Sequence, residues 1–189
     1  YSKVQDAIAA SERVFEVLDT KSKILDGEKI LEDDITRIEF KNVKLKYEDS
    51  YALDDINIEI KQGQNIALVG DSGGGKSTFI NMLLRFYDPD SGEILVNNTN
   101  IKDFTQDSLK HHISLVSQRI YIFQDTLAAN VAYGQKINED KVNESLKLAD
   151  AYSFVDSLEN GIYTRMEEFG ANLSGGQRQR IAIARAIYK

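Results

Sequence analysis

The sequence predicts an α/β fold, and three observations carry that prediction. Residues 35–60 alternate apolar and polar with a period of two, as half-buried antiparallel strands do. Asn65-Ile-Ala-Leu-Val69 is apolar almost without interruption and runs into a glycine-rich turn, after which helical spacing takes over. From about residue 120 onward, short stretches carry apolar residues three and four apart.

The elements follow in order. Residues 1–18 read as an amphipathic helix, with Val4, Ala7, Ile8, Ser11, Val14, Phe15 and Leu18 on one stripe. One helix cannot bury such a stripe alone. Residues 19–34, with Gly27 and the acidic run Glu32-Asp-Asp34, read as a connector, so a boundary is placed between 34 and 35. Strands are expected over 35–40, 43–47 and 56–60, each half-buried, and over 65–69, buried on both faces. A helix over 76–86 uses Phe79, Ile80, Leu83, Leu84 and Phe86. Asp88-Pro-Asp-Ser-Gly92 is a turn, Glu93–Val96 a strand, and Asn97-Asn-Thr-Asn100 a second turn. Ile113–Val116 reads as a further buried strand, followed by helices near 126–132, 139–149, 151–158 and 176–188.

Composition narrows the function. Of 189 residues, 30 are acidic and 23 basic, for a net charge of −7. That balance argues against a nucleic-acid backbone binder. A hydrophobic share of 42% suffices for a packed core. The absence of cysteine excludes disulfides, thiolate zinc sites and a cysteine nucleophile. No apolar run approaches the ~20 residues that span a bilayer. The chain begins at Tyr1 and is expected to be a piece of something longer.

Gly70-Asp-Ser-Gly-Gly-Gly-Lys-Ser77 has the spacing of a phosphate-binding loop, between a strand and a helix as that motif requires. Glycines let successive N–H groups converge on phosphate without a Cβ in the way. The helix start adds its positive end, Lys76 a point charge toward the outer phosphates, and Ser77 a hydroxyl for Mg²⁺. Thr78 adds a hydroxyl in the first turn, while Asp71, a carboxylate in an anion site, is expected to face solvent. Leu173-Ser-Gly-Gly-Gln177 then opens the last helix, Ser174 being a natural cap and Gly175 and Gly176 leaving amides at a second positive helix end. Taken alone, it is either a second anion site or an ordinary capped start. The two motifs hold six of the chain's 12 glycines, which favours two phosphate-contacting loops over scattered turns.

Together, the two motifs resemble the nucleotide-binding domain of an ABC transporter, and the resemblance runs from about Ile35 to the end. Arg85-Phe-Tyr-Asp-Pro89, Ser117-Gln-Arg-Ile-Tyr-Ile-Phe123 and Gln177-Arg-Gln-Arg-Ile-Ala-Ile-Ala-Arg185 are similar to the bacterial exporter branch, lipid A flippases and multidrug exporters. The resemblance implies a P-loop NTPase (ABC ATPase) of α/β class: a mostly parallel core sheet, an antiparallel β subdomain over 35–60 and a helical subdomain over about 120–175, incomplete at the C-terminus. Residues 1–34 would be the helix and connector leaving the membrane domain, and 35–189 the partial nucleotide-binding domain. ATP and Mg²⁺ are the implied cofactors.

Site roles are carried over residue by residue. Gly70, Asp71, Ser72, Gly73, Gly74, Gly75, Lys76, Ser77 and Thr78 would form the ATP cradle. Tyr47 resembles the aromatic that stacks on adenine, although a core-facing tyrosine in register with Val43 and Leu45 is the alternative. Gln118 resembles the glutamine that approaches Mg²⁺ and the attacking water, so Lys76 and Gln118 take catalytic roles and Ser77 and Gln118 metal roles. Ser174, Gly175, Gly176 and Gln177 would complete the site of a second copy. Thr164–Gly170 resembles the exporter x-loop with Glu168 in its glutamate position and Glu167 where glycine is usual.

The implied partners are a transmembrane domain of the same polypeptide and a second nucleotide-binding domain, with no nucleic acid. The implied place is the cytoplasmic face of the bacterial inner membrane, and the implied work is ATP-powered export or flipping of a lipid or amphipathic substrate. The family's Walker B carboxylates and switch histidine are expected beyond Lys189, and His111 and His112 are not that switch. The chain alone is therefore expected to be inactive, with an exposed apolar sheet edge and a final helix bearing Ile181, Ile183 and Ile187 with too little to pack on. A soluble ABC-type ATPase uncoupled from transport and a non-hydrolysing nucleotide-binding fragment are the alternatives. Leu173–Gln177 disfavours a small-substrate kinase.

Overall fold

A computed structural model describes residues 2–189; the side chains of Ser2, Lys3, Val4, Asp6, Ala7 and Ala9 lie outside the described residues, and with them the Val4 and Ala7 part of the first stripe. The described residues form two compact units, one ending at Leu109 and the other running over 110–189.

The first unit opens with α1 (Ser2–Asp19), whose Ile8, Val14, Phe15, Val17 and Leu18 are exposed. Among the described residues no helix is long and apolar enough to cross a membrane. Its sheet is antiparallel in the order β2-β1-β3-β4, from β1 (Arg37–Tyr47), β2 (Ser50–Lys61), β3 (Ser91–Val96) and β4 (Thr99–Asn100). A tight turn pairs Tyr47 with Ser50, with Glu48 at a φ of 54°. Phe40, Val43 and Leu45 all face the core, which a regular strand forbids for residues 40 and 43. A bulge at Asn42 (φ 48°) resets the pleat between them, its amide donating to Asn57 Oδ1 at 2.8 Å.

Against this sheet lies α2 (Lys76–Leu83), which sends Phe79 and Met82 inward. Phe40 and Phe79 stack with centroids 4.5 Å apart, amid Ile94, Val96, Ile101 and Leu109. Arg85 closes the far end of the helix. It has a left-handed φ of 52°, is 2% exposed, and donates to Leu25 O (2.6 Å), Phe104 O (2.8 Å) and Asp88 Oδ1 (3.3 Å). Those bonds draw the segment after α1 onto the unit, and Leu31 joins the core. The sequence reading gives no helix for α3 (Gln106–His112), which carries His111 and His112 and buries little beyond Leu109.

Two expectations are corrected here. Neither 65–69 nor 113–116 forms a strand, and among the described residues the one multi-stranded sheet is antiparallel rather than mostly parallel. A strand buried on both faces needs a neighbour on each side, and no ladder reaches these runs. Ile66, Leu68, Leu115 and Val116 are accordingly exposed, and Val69 is 92% exposed.

The second unit packs α4 (Leu127–Val131), α5 (Glu139–Leu148), α6 (Tyr152–Asp156) and α7 (Gly175–Tyr188) around Leu127, Val131, Val142, Leu146, Met166 and Ile181. The final helix therefore does find a bed, contrary to expectation. Ile181, Ala184 and Tyr188 are buried against α4 and α5, and the Tyr188 hydroxyl donates to Lys136 O at 2.7 Å. Ile183 is partly buried and Ile187 exposed, so only one of the three isoleucines is a core residue.

Phe79→Ala should lower the stability of the first unit by about 3–5 kcal/mol, since it removes a buried aromatic and leaves a cavity under Phe40. Urea unfolding followed by circular dichroism checks it; a loss below about 1 kcal/mol would mean that the stack is dispensable.

Candidate functional site

Gly70–Ser77 forms one loop ending at the first turn of α2. Its conformation needs glycine at two places in particular: Gly73 and Gly75 hold φ values of 86° and 79°. Gly75 is also pressed against β2, where a Cβ would meet Ala52 O at 2.3 Å. Space and backbone angle thus demand glycine together.

The caps show what this loop leaves available. Thr126, Asn138 and Ser174 each accept a backbone N–H at the start of α4, α5 and α7, whereas α2 starts at Gly75 with no side-chain cap. The first amides of α2 lack both intrahelical and side-chain acceptors, which is what an anion needs. Lys76 folds back over the loop, its ammonium donating to Gly70 O (2.8 Å) and Asp71 O (2.5 Å). Both are backbone carbonyls, so an arriving anion would find a cation with no competing carboxylate bonded to it. Asp71 and Ser77 are exposed and Thr78 is buried.

Tyr47 ends β1 and is 40% exposed, while Val43 and Leu45 of the same strand are buried. The core-facing alternative is set aside by that contrast. Its ring stands edge-on to Tyr87, at a centroid distance of 5.6 Å and an interplanar angle of 82°. Sequence reasoning used Tyr87 only as part of a branch signature; an aromatic just past the loop's helix was the available signal.

In the second unit, Ser117, Gln118, Arg119 and Tyr121 line a cleft of about 620 Å³ with Phe169, Gly175, Arg178 and Gln179. The structure thus brings Gln118 beside the start of α7. Ser174 and Gln177 form a capping box: Ser174 Oγ accepts from Gln177 N at 3.2 Å, and Ser174 N donates to Gln177 Oε1 at 2.8 Å. Their side chains serve the helix, which leaves the Gly175 and Gly176 amides as the donors open to a ligand. Phe169, beside Glu168, has a left-handed φ of 55° and is 63% exposed at the mouth of this cleft. The segment carrying Gln118 is braced by Arg185, which donates to Asn130 O (2.7 Å) and Tyr121 O (3.1 Å) and sits over the stacked rings of Phe123 and Tyr133. Burial lowers its pKa from the ordinary value.

Residues 53–189 match the family described as ABC transporter. The chain belongs to that family. It is similar along its whole length to the ATP-dependent lipid A-core flippases of Saccharophagus degradans (45% identical, all of this chain, 32% of the relative) and Escherichia coli (40% identical, all of this chain, 33% of the relative). The flippase of Albidiferax ferrireducens is 46% identical over 98% of the chain and 33% of its own length. Among solved structures, a bacterial Atm1-family ABC exporter with ATP bound superposes with a TM-score of 0.88, at 34% identity, over 98% of this chain and 33% of that one. The chain thus spans about a third of the length of the curated relatives it matches. As an ABC ATPase domain it binds ATP, and the α/β class with antiparallel and helical subdomains is the family's.

Ser174→Ala should cost about 1 kcal/mol by removing one half of the capping box, and Ser174→Asp should recover most of it. Thermal melts of the three proteins give the comparison, and equal midpoints would show that α7 is held by packing alone.

Proposed function

We propose that this chain is the ATP-binding part of a motor domain that drives export or flipping of a lipid or amphipathic molecule across a bacterial inner membrane, working from the cytoplasmic face. The observation that carries it is the glycine-built, uncapped start of α2 with Lys76 folded over it. The flippase relatives, similar along the whole chain, favour a lipid-like cargo over an ATPase uncoupled from transport.

The residues take the following parts. Amides of Gly70–Ser77, with Asp71 turned outward, receive the phosphates, and Lys76 gives up its carbonyl partners for the outer ones. The exposed face of Tyr47 takes the adenine. The Ser77 hydroxyl would hold Mg²⁺, and a metal role is proposed for Gln118 from its sequence motif alone. No cluster of three acidic or histidine side chains suited to a metal occurs among the described residues, and Mg²⁺ at a nucleotide needs none, since one or two protein oxygens and the phosphates hold it. When bound, the ion would offset the negative charge of the phosphates. The amides of Gly175 and Gly176 serve the nucleotide of a second copy, so two domains close on two ATP molecules. The membrane domain belongs to the same polypeptide, with α1 as the helix leaving it.

Lys76→Ala should weaken ATP by one to two decades, the worth of a charge-assisted phosphate contact of about 1.5–3 kcal/mol. Equal ATP-induced thermal shifts in both proteins would reject the cradle. In the full-length transporter, Ser174→Arg should leave ATP binding intact while abolishing hydrolysis, because the guanidinium fills the space before Gly175 and Gly176. Hydrolysis at the native rate would remove these amides from the mechanism.

A further inference from the structure

We propose that Tyr87 is a positioning residue that holds the Tyr47 ring ready for a purine, so that one helix serves both ends of the nucleotide. The proposal rests on the reading of Tyr47 as the adenine platform. The phosphate loop opens α2, and the turn that closes it displays Tyr87 against Tyr47. At 82° between ring planes, Tyr87 can cover at most one face of Tyr47, which leaves the other for stacking.

The turn is built to hold this pose. Arg85 pins its start through three buried or part-buried bonds. Its end is tied to the strand of Tyr47 itself: Lys46 N donates to Asp90 Oδ2 at 2.7 Å, and Asp90 N donates to Lys44 O at 3.0 Å. Tyr47 is otherwise the last residue of a strand, next to the left-handed Glu48, where a solitary side chain would sample several rotamers. Ordering it beforehand spares the nucleotide that entropy.

The test titrates the chain with Mg-ATP and with Mg-tripolyphosphate by calorimetry. Tyr87→Ala should weaken ATP about three- to tenfold and leave tripolyphosphate unchanged. Tyr87→Phe, which keeps the edge contact, should recover most of the loss. In a Tyr47→Ala background, Tyr87→Ala should cost nothing more. Equal losses for ATP and tripolyphosphate, or an undiminished loss in that background, would overturn the proposal by making Tyr87 a mere support for α2. If Tyr87→Ala does not fold, Tyr87→Leu keeps the bulk without the ring and must show the same selective loss. Should Tyr47→Ala bind ATP as the native chain does, the platform reading itself fails, and this proposal with it.

Discussion

An α-helix begins with amides that the helix itself cannot satisfy, and what a protein does with them is a choice written in the residue before the first turn. Here α4, α5 and α7 spend theirs on Thr126, Asn138 and Ser174. At α2 the corresponding residue is Gly75, which has no side chain to offer and is wedged under Ala52 O. The remainder of the first unit can be understood as support for that vacancy of side chain. Phe79 and Met82 fix the helix to the sheet, the Asn42 bulge turns Phe40 and Val43 to meet them, and Arg85 anchors the other end. A donor group that must stay unpaired until a ligand arrives needs rigid surroundings, because a mobile loop would satisfy it internally.

The second unit treats its glycines differently. Ser174 and Gln177 lock the start of α7 by a reciprocal cap, and the helix behind it is buried on Leu127, Val131, Val142 and Leu146. Gly175 and Gly176 are thereby presented from a fixed edge, next to a cleft whose other wall is the Gln118 segment. Arg185 ties that segment and α4 to α7 through the backbone oxygens of Tyr121 and Asn130 rather than a carboxylate, which suits a half-buried guanidinium: its fork of donors is matched without importing a second charge.

The local signals in the sequence translated well. The glycine spacing of Gly70–Ser77, the Ser174 cap and the period-two alternation over 35–60 each depend on neighbours within a few positions, and each stands in the structure. What failed depended on distant partners. Asn65–Val69 has the composition of a doubly buried strand, but burial is conferred by flanking strands, and none pairs with it. α3 escaped notice because one buried leucine in seven residues gives no period, although the Thr105 hydroxyl that accepts from Ser108 N at 3.3 Å was a readable start signal. The contact between Tyr47 and Tyr87 joins residues forty positions apart, which no pattern along the chain reports.

The side chain of Asn130 makes four hydrogen bonds at once, to three residues. It accepts from Phe123 N at 2.8 Å and from Arg185 Nη2 at 3.3 Å, and it donates to Phe123 O at 2.9 Å and Thr126 O at 3.1 Å. Only a planar carboxamide carries two donors and an acceptor in that arrangement. Glutamine, the other natural carboxamide, lies two nucleotide changes away from any asparagine codon. Every single-base substitution at this codon that changes the residue therefore breaks the set, and position 130 sits on an island in the genetic code that drift by single steps cannot leave without loss.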